Sequence, residues 1–152
     1  MAVRAKFVHT NIVARNWRTL AQFYEQVLGC APVPPERNLE GKWLEDGTRV
    51  PGVRIRGIHL RMPGYGGEGP SLEIFQYSPQ EERHETAINR PGIGHIAFAV
   101  DDVEVARDAV LAAGGGVVGQ VVSLPVAGAG TVTFVYVTDP EGNILELQRW
   151  SE

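Results

Sequence analysis

Alternating apolar and polar residues fall into short blocks along this chain, and the blocks recur in the same order in its two halves. The first half reads FVHTNIVA (7–14), then a stretch with helical spacing, then IRGIHLRM (55–62) and SLEIFQY (71–77). The second half reads IGHIAFAV (93–100), another helical stretch, then TVTFVYVT (131–138) and NILELQRW (143–150). The β-branched and aromatic residues of these blocks, bounded by turn residues, predict strands. A repeat of this kind decides the fold before any single element does.

The helical stretches have marked ends. Trp17, Leu20, Ala21, Tyr24, Val27 and Leu28 follow the i, i+3, i+4, i+7 spacing of one buried face. Asn16 is a good N-cap and Gly29 a natural left-handed C′ residue, so the first helix should run from Trp17 to Leu28. The second should start at Asp101 or Asp102, carry Val103, Ala106, Val110 and Ala113 on its apolar side, and stop at Gly114-Gly115-Gly116. Glycine and proline at 63–67, 128–130 and 139–142 mark reversals. These features predict one domain over 1–152 made of two β-α-β-β-β modules, 5–77 and 92–150, joined by a polar linker at 78–91. The stretch 34–52, with its prolines, charges and lone Trp43, reads as an irregular or short helical excursion, placed to lie over a site.

Composition narrows the classes of function. The 152 residues are 43% hydrophobic, enough for one real core. Eighteen acidic against fourteen basic residues give a net charge of -4, and the cations form no stripe, which argues against nucleic acid as a partner. No apolar run approaches the roughly 20 residues that cross a bilayer, and the N-terminus lacks a signal-peptide core, so no membrane partner is expected and the expected location is cytoplasmic. The single Cys30 can form neither an intrachain disulfide nor a thiolate cluster and reads as a small residue packed after a helix.

The candidate chemistry lies in the repeat. Each module has a histidine at the head of its first strand and a Leu-Glu pair in its last: His9 with Glu73, and His95 with Glu146. Packing alone gives no reason to duplicate a histidine and a glutamate. Alternation puts His9 on one face with Asn11 and Val13, and His95 with Ala97 and Ala99. Two imidazoles and two carboxylates converging on one cleft would be neutralised by a divalent cation, and their mixed N/O character suits one first-row ion, Zn, Ni, Co, Mn or Fe, with positions left open for water or substrate. Calcium and closed structural zinc fit less well. His59 and Arg61 share a strand face and could hold an anionic substrate, whereas His84 sits in the charged run EERHE and is set aside. The glycine clusters do not follow a strand and open a helix, so they are turns rather than a dinucleotide site, and neither Cys30 nor Ser123 has a nucleophile's context.

Together the segments VHTNIVARNWRTLAQFYEQVLG (8–29), SLEIFQY, GIGHIAFAVDDVEVA (92–106) and YVTDPEGNILELQ (136–148) resemble the vicinal oxygen chelate superfamily, which includes glyoxalase I, methylmalonyl-CoA epimerase, extradiol dioxygenases and bleomycin-type resistance proteins. The resemblance implies an α+β fold in which two βαβββ modules form an incomplete, eight-stranded, barrel-like sheet around a metal. It further implies that the first and last strands of each module supply the ligands, positions held here by His9, Glu73, His95 and Glu146. A carboxylate at Glu73 leans toward the glyoxalase pattern, since the epimerases commonly carry an amide there. The implied activity is a metal-dependent isomerase, epimerase or lyase acting on a small substrate with vicinal oxygens, with Glu146 or Glu73 removing the proton beside a carbonyl. Two alternatives stay open: an Fe(II) extradiol-type dioxygenase, using two histidines and one carboxylate, and a small-molecule binding or resistance protein. A homodimer is the expected assembly.

Overall fold

The computed structural model describes residues 3–152. Local signals fix helix α1 (Trp17–Leu28) as the sequence predicts: the Asn16 side chain accepts the Thr19 N–H, and Gly29 leaves the helix at φ 71°. Its buried face is Trp17, Leu20, Ala21, Phe23 and Tyr24, one aromatic more than the spacing alone marked. Val27 and Leu28 are only half-buried.

The chain divides into two compact units, Met1–Glu82 and Arg83–Glu152. The first contains β1 (His9–Val13), α1, β2 (Ala31–Glu40), α2 (Lys42–Thr48), β3 (Arg54–Arg61) and β4 (Ser71–Ser78). Its sheet has the order β1-β4-β3-β2, with β1 parallel to β4 and the other pairs antiparallel. Helix α1 covers one face, where Leu20, Tyr24, Leu60, Leu72 and Ile74 are fully buried. Side chains alternate across a strand, so Ile55, Gly57, His59 and Arg61 of β3 and Glu73 and Phe75 of β4 occupy the other face. One end of that face is closed by a small cluster in which Leu44 of α2 meets Val53, Ile55 and Phe75.

The stretch 34–52 holds the expected short helix, α2, but its first part is a strand and not irregular. Much of it is regular: β2 runs through Pro34 and Pro35, and α2 follows. Proline is tolerated because β2 is the outermost strand, where a missing N–H breaks no ladder, and the register shift between Val33 and Arg37 spans both prolines.

The second unit contains β5 (Ile96–Ala99), α3 (Val103–Ala112), β6 (Gly116–Val117), β7 (Val122–Val126), β8 (Gly130–Thr138) and β9 (Ile144–Ser151). The order is β5-β9-β8-β6, with β7 also paired to β8, and again the first strand lies parallel to the last. Asp102 caps α3 by accepting the Val105 N–H. Val103 and Val110 pack toward Val135, Val137, Leu145 and Leu147, while Ala113, expected on the apolar side, is exposed. The first strand is shorter than its sequence suggests: pairing begins at Ile96, and Ile93 is 87% exposed. Gly92, at φ 132°, and Gly94 carry the chain in without a ladder, so His95 stands just before β5 rather than within it.

Among the described residues the architecture is therefore α+β, with three α-helices and two open, mixed sheets of four and five strands. That is nine strands where eight were expected, the addition being the two-residue β6. No helix among the described residues is long and apolar enough to cross a membrane.

The turn into β9 is held by a buried carboxylate. Asp139, 1% exposed, accepts the Glu141 and Asn143 N–H groups at 2.9 and 3.0 Å through Oδ1 and the Asn143 amide at 2.7 Å through Oδ2. Arg83 reaches the same turn, donating to the Glu141 carbonyl and to Asn143 Oδ1 while bonding Thr86. Replacing Asp139 with Ala would strand these donors in a buried place, and we expect a loss of about 3 kcal/mol in urea unfolding. An unchanged urea midpoint would show that water replaces the carboxylate freely.

Candidate functional site

Each unit brings its predicted histidine and glutamate into contact. His9 Nε2 lies 3.0 Å from Glu73 Oε1, and His95 Nε2 lies 2.9 Å from Glu146 Oε2. The sheet registers explain the recurrence. In the first unit Asn11 is opposite Glu73, and in the second Ala97 is opposite Glu146. The histidine stands two residues ahead of that position in both, on the same side of the chain, so each imidazole reaches diagonally to the carboxylate of the neighbouring parallel strand.

Burial makes these contacts matter. Glu73 is 8% exposed, and an ionised carboxylate so placed needs donors. It has three: His9 and Asn11 reach Oε1 at 3.0 and 3.3 Å, and His59 Nε2 reaches Oε2 at 2.8 Å. The His59 ring packs edge-on against Phe75 and against His9. Burial pushes the His59 pKa below its ordinary value; Glu73 pulls it back up, and Arg37 and His9 add to the lowering. Glu146 is served differently. His95 is its partner, and the Tyr136 ring lies 5.1 Å from the His95 ring.

The remaining sequence candidates fall as follows. His59 is on the site face of β3, with its Nε2 engaged by Glu73. Arg61, two residues further along that face and opposite Ser71, holds its guanidinium beside Gly67 and has no ion pair among the described residues. His84 belongs to the 79–86 stretch, which has no regular structure. Cys30 is buried directly after α1, and burial pushes its thiol pKa up to about 11, which suits a packed residue and not a nucleophile. Asn11 and Tyr136 belong to the two constellations but were not marked as site residues by the sequence. Alternation already placed Asn11 on the face of His9. Tyr136 shows itself only through the β8–β9 register.

Among the described residues no three His, Cys, Asp or Glu side chains are arranged as a finished metal cage, His9 and His95 each being turned onto the carboxylate of its own unit. The chemistry of the donors nonetheless fits a divalent ion: imidazole nitrogens and carboxylate oxygens, with no competing thiolate.

Comparison with known proteins identifies the family and the fold. The family model described as the glyoxalase/bleomycin resistance protein/dioxygenase superfamily matches residues 6–147. A probable lactoylglutathione lyase of Vibrio parahaemolyticus is 30% identical over 145 residues, covering 93% of this chain and 88% of that protein. A lactoylglutathione lyase of Haemophilus influenzae is 28% identical, covering 93% and 90%. Among solved structures, a glyoxalase family protein from Bacillus cereus superposes with a TM-score of 0.78 at 19% identity, covering 100% of this chain and 97% of that one, a likeness of fold.

Proposed function

Since the chain belongs to the glyoxalase/bleomycin resistance protein/dioxygenase superfamily, we propose that it is a metal-dependent lyase or isomerase of glyoxalase type, holding one divalent ion with His9, Glu73, His95 and Glu146. The observation that carries this reading is the duplicated contact, one imidazole on one carboxylate at the same register position in each unit. A packing role would not require both residue types twice. A bound ion supplies Lewis acidity toward a substrate's carbonyl oxygen.

The relatives named lactoylglutathione lyase support a substrate of a matching kind, the adduct of an α-ketoaldehyde with a thiol such as glutathione. The conversion needs no oxidant. A carboxylate takes the proton from the carbon bearing sulfur and hydroxyl, the electron pair shifts toward the neighbouring carbonyl, the hydroxyl's proton passes to that carbonyl's oxygen, and the carboxylate returns its proton to the second carbon, leaving a 2-hydroxy thioester. Glu146 is our candidate for this transfer, because among the described residues only His95 engages it, whereas Glu73 is held by three donors. Arg61, a cation on the same sheet face as Glu73, suits a carboxylate of the thiol portion.

The test is removal and return of the metal. Exhaustive dialysis against a chelator should bring turnover of the ketoaldehyde–thiol adduct to background, and one equivalent of Zn, Ni, Co, Mn or Fe(II) per site should restore it. Full activity in protein shown by elemental analysis to be metal-free would overturn the proposal. Sedimentation of the loaded protein checks the homodimer that we propose as its assembly.

A further inference from the structure

The two halves repeat their histidine and glutamate but not what stands on the other side of the glutamate. In the first unit the β3 residue registered against Glu73 is His59, and in the second the β8 residue registered against Glu146 is Tyr136. On the parallel side the pair is Asn11 against Ala97. Asn11 gives way to a residue with no side-chain donor, and His59 to a tyrosine whose hydroxyl does not bond Glu146 among the described residues. His59 Nε2 reaches Glu73 Oε2 at 2.8 Å, whereas Tyr136 lays its ring against His95 and makes no hydrogen bond to Glu146 among the described residues.

We propose that His59 is a positioning residue that ties down Oε2 of Glu73, leaving Oε1, the oxygen on the His9 side, as the one offered to a cation. The inference rests on the metal reading above and adds a division of labour to it. His9 cannot donate its Nε2 proton to Glu73 and give the same nitrogen's lone pair to an ion. When His9 serves the ion its hydrogen bond to Glu73 is lost, and His59 and Asn11 remain as the donors that keep the carboxylate in place. Neither Ala97 nor Tyr136 donates to Glu146 among the described residues, so Glu146 keeps the freedom that a proton carrier needs. The Phe75 ring against His59 fixes the imidazole in turn.

The experiment compares wild type with His59→Phe, which deletes the donor and keeps a ring, and His59→Gln, which keeps an N–H. Zinc and nickel affinities are read by competition with a chromophoric chelator, alongside thermal unfolding. The expected result is a metal affinity about 10–100-fold weaker in H59F and near wild type in H59Q. Should H59F not fold, H59A supplies the same comparison. Wild-type affinity in H59F overturns the positioning role while leaving the metal reading intact, and so does an equal loss in H59F and H59Q. A wild-type protein that takes up neither metal overturns both.

Discussion

Glu146→Gln is expected to keep the fold and the bound metal yet lower kcat on a ketoaldehyde–glutathione adduct by about 10²–10⁴-fold, the usual worth of a general base. The amide preserves the side chain's shape and one oxygen, so packing beside Leu145 and Leu147, both fully buried, should not change. What disappears is basicity. The counterpart Glu73→Gln should retain most of its turnover and show its main effect as weaker metal binding, because that carboxylate is already committed to His9, Asn11 and His59. Equal losses of kcat in the two variants would contradict the assignment. Full activity of E146Q would remove proton transfer by this residue altogether.

Gly57→Ala should be the most damaging small change in the first unit. A Cβ at this position would lie 2.1 Å from the Ile74 carbonyl oxygen and 2.7 Å from Phe75 Cδ1. The first of these is backbone, so it cannot swing aside, and β3 would have to move away from β4. We expect a loss of about 3 kcal/mol, which for a chain of this size is a drop of roughly 10 °C in Tm. The site should suffer with it, because His59 is two residues along the same strand face and reaches Glu73 across the same strand pair. A guanidinium chloride midpoint equal to wild type would mean that the two strands separate without cost.

Much of this was legible in the sequence where the signal is local. The Asn16 cap, the spacing of Leu20 and Tyr24 and the exit at Gly29 place α1 without reference to any other element. The duplicated His and Leu-Glu blocks marked all four candidate ligands, because a repeat makes two faint signals support each other. Features that depend on pairing were not legible. Nothing near Pro34-Pro35 reveals that β2 lies on an edge, where proline is harmless, and the residues 93–95 alternate like a strand although β9 offers them no ladder. The link between His59 and Glu73 is of the same sort. It follows from one antiparallel register, and a slip of a single residue would have put the imidazole on the α1 side of the sheet.

The parallel pairing of β1 with β4 has a consequence for the order in which the molecule is made. On the ribosome the strand bearing His9 has no lateral partner until 71–78 has been synthesised, a wait of roughly 3 to 12 seconds at ~5–20 residues per second. The second half repeats the delay, since β5 must await β9, the last strand formed. Each histidine is thus translated early and docked late, and the amino-terminal half can finish its sheet while the carboxy-terminal half is still being elongated.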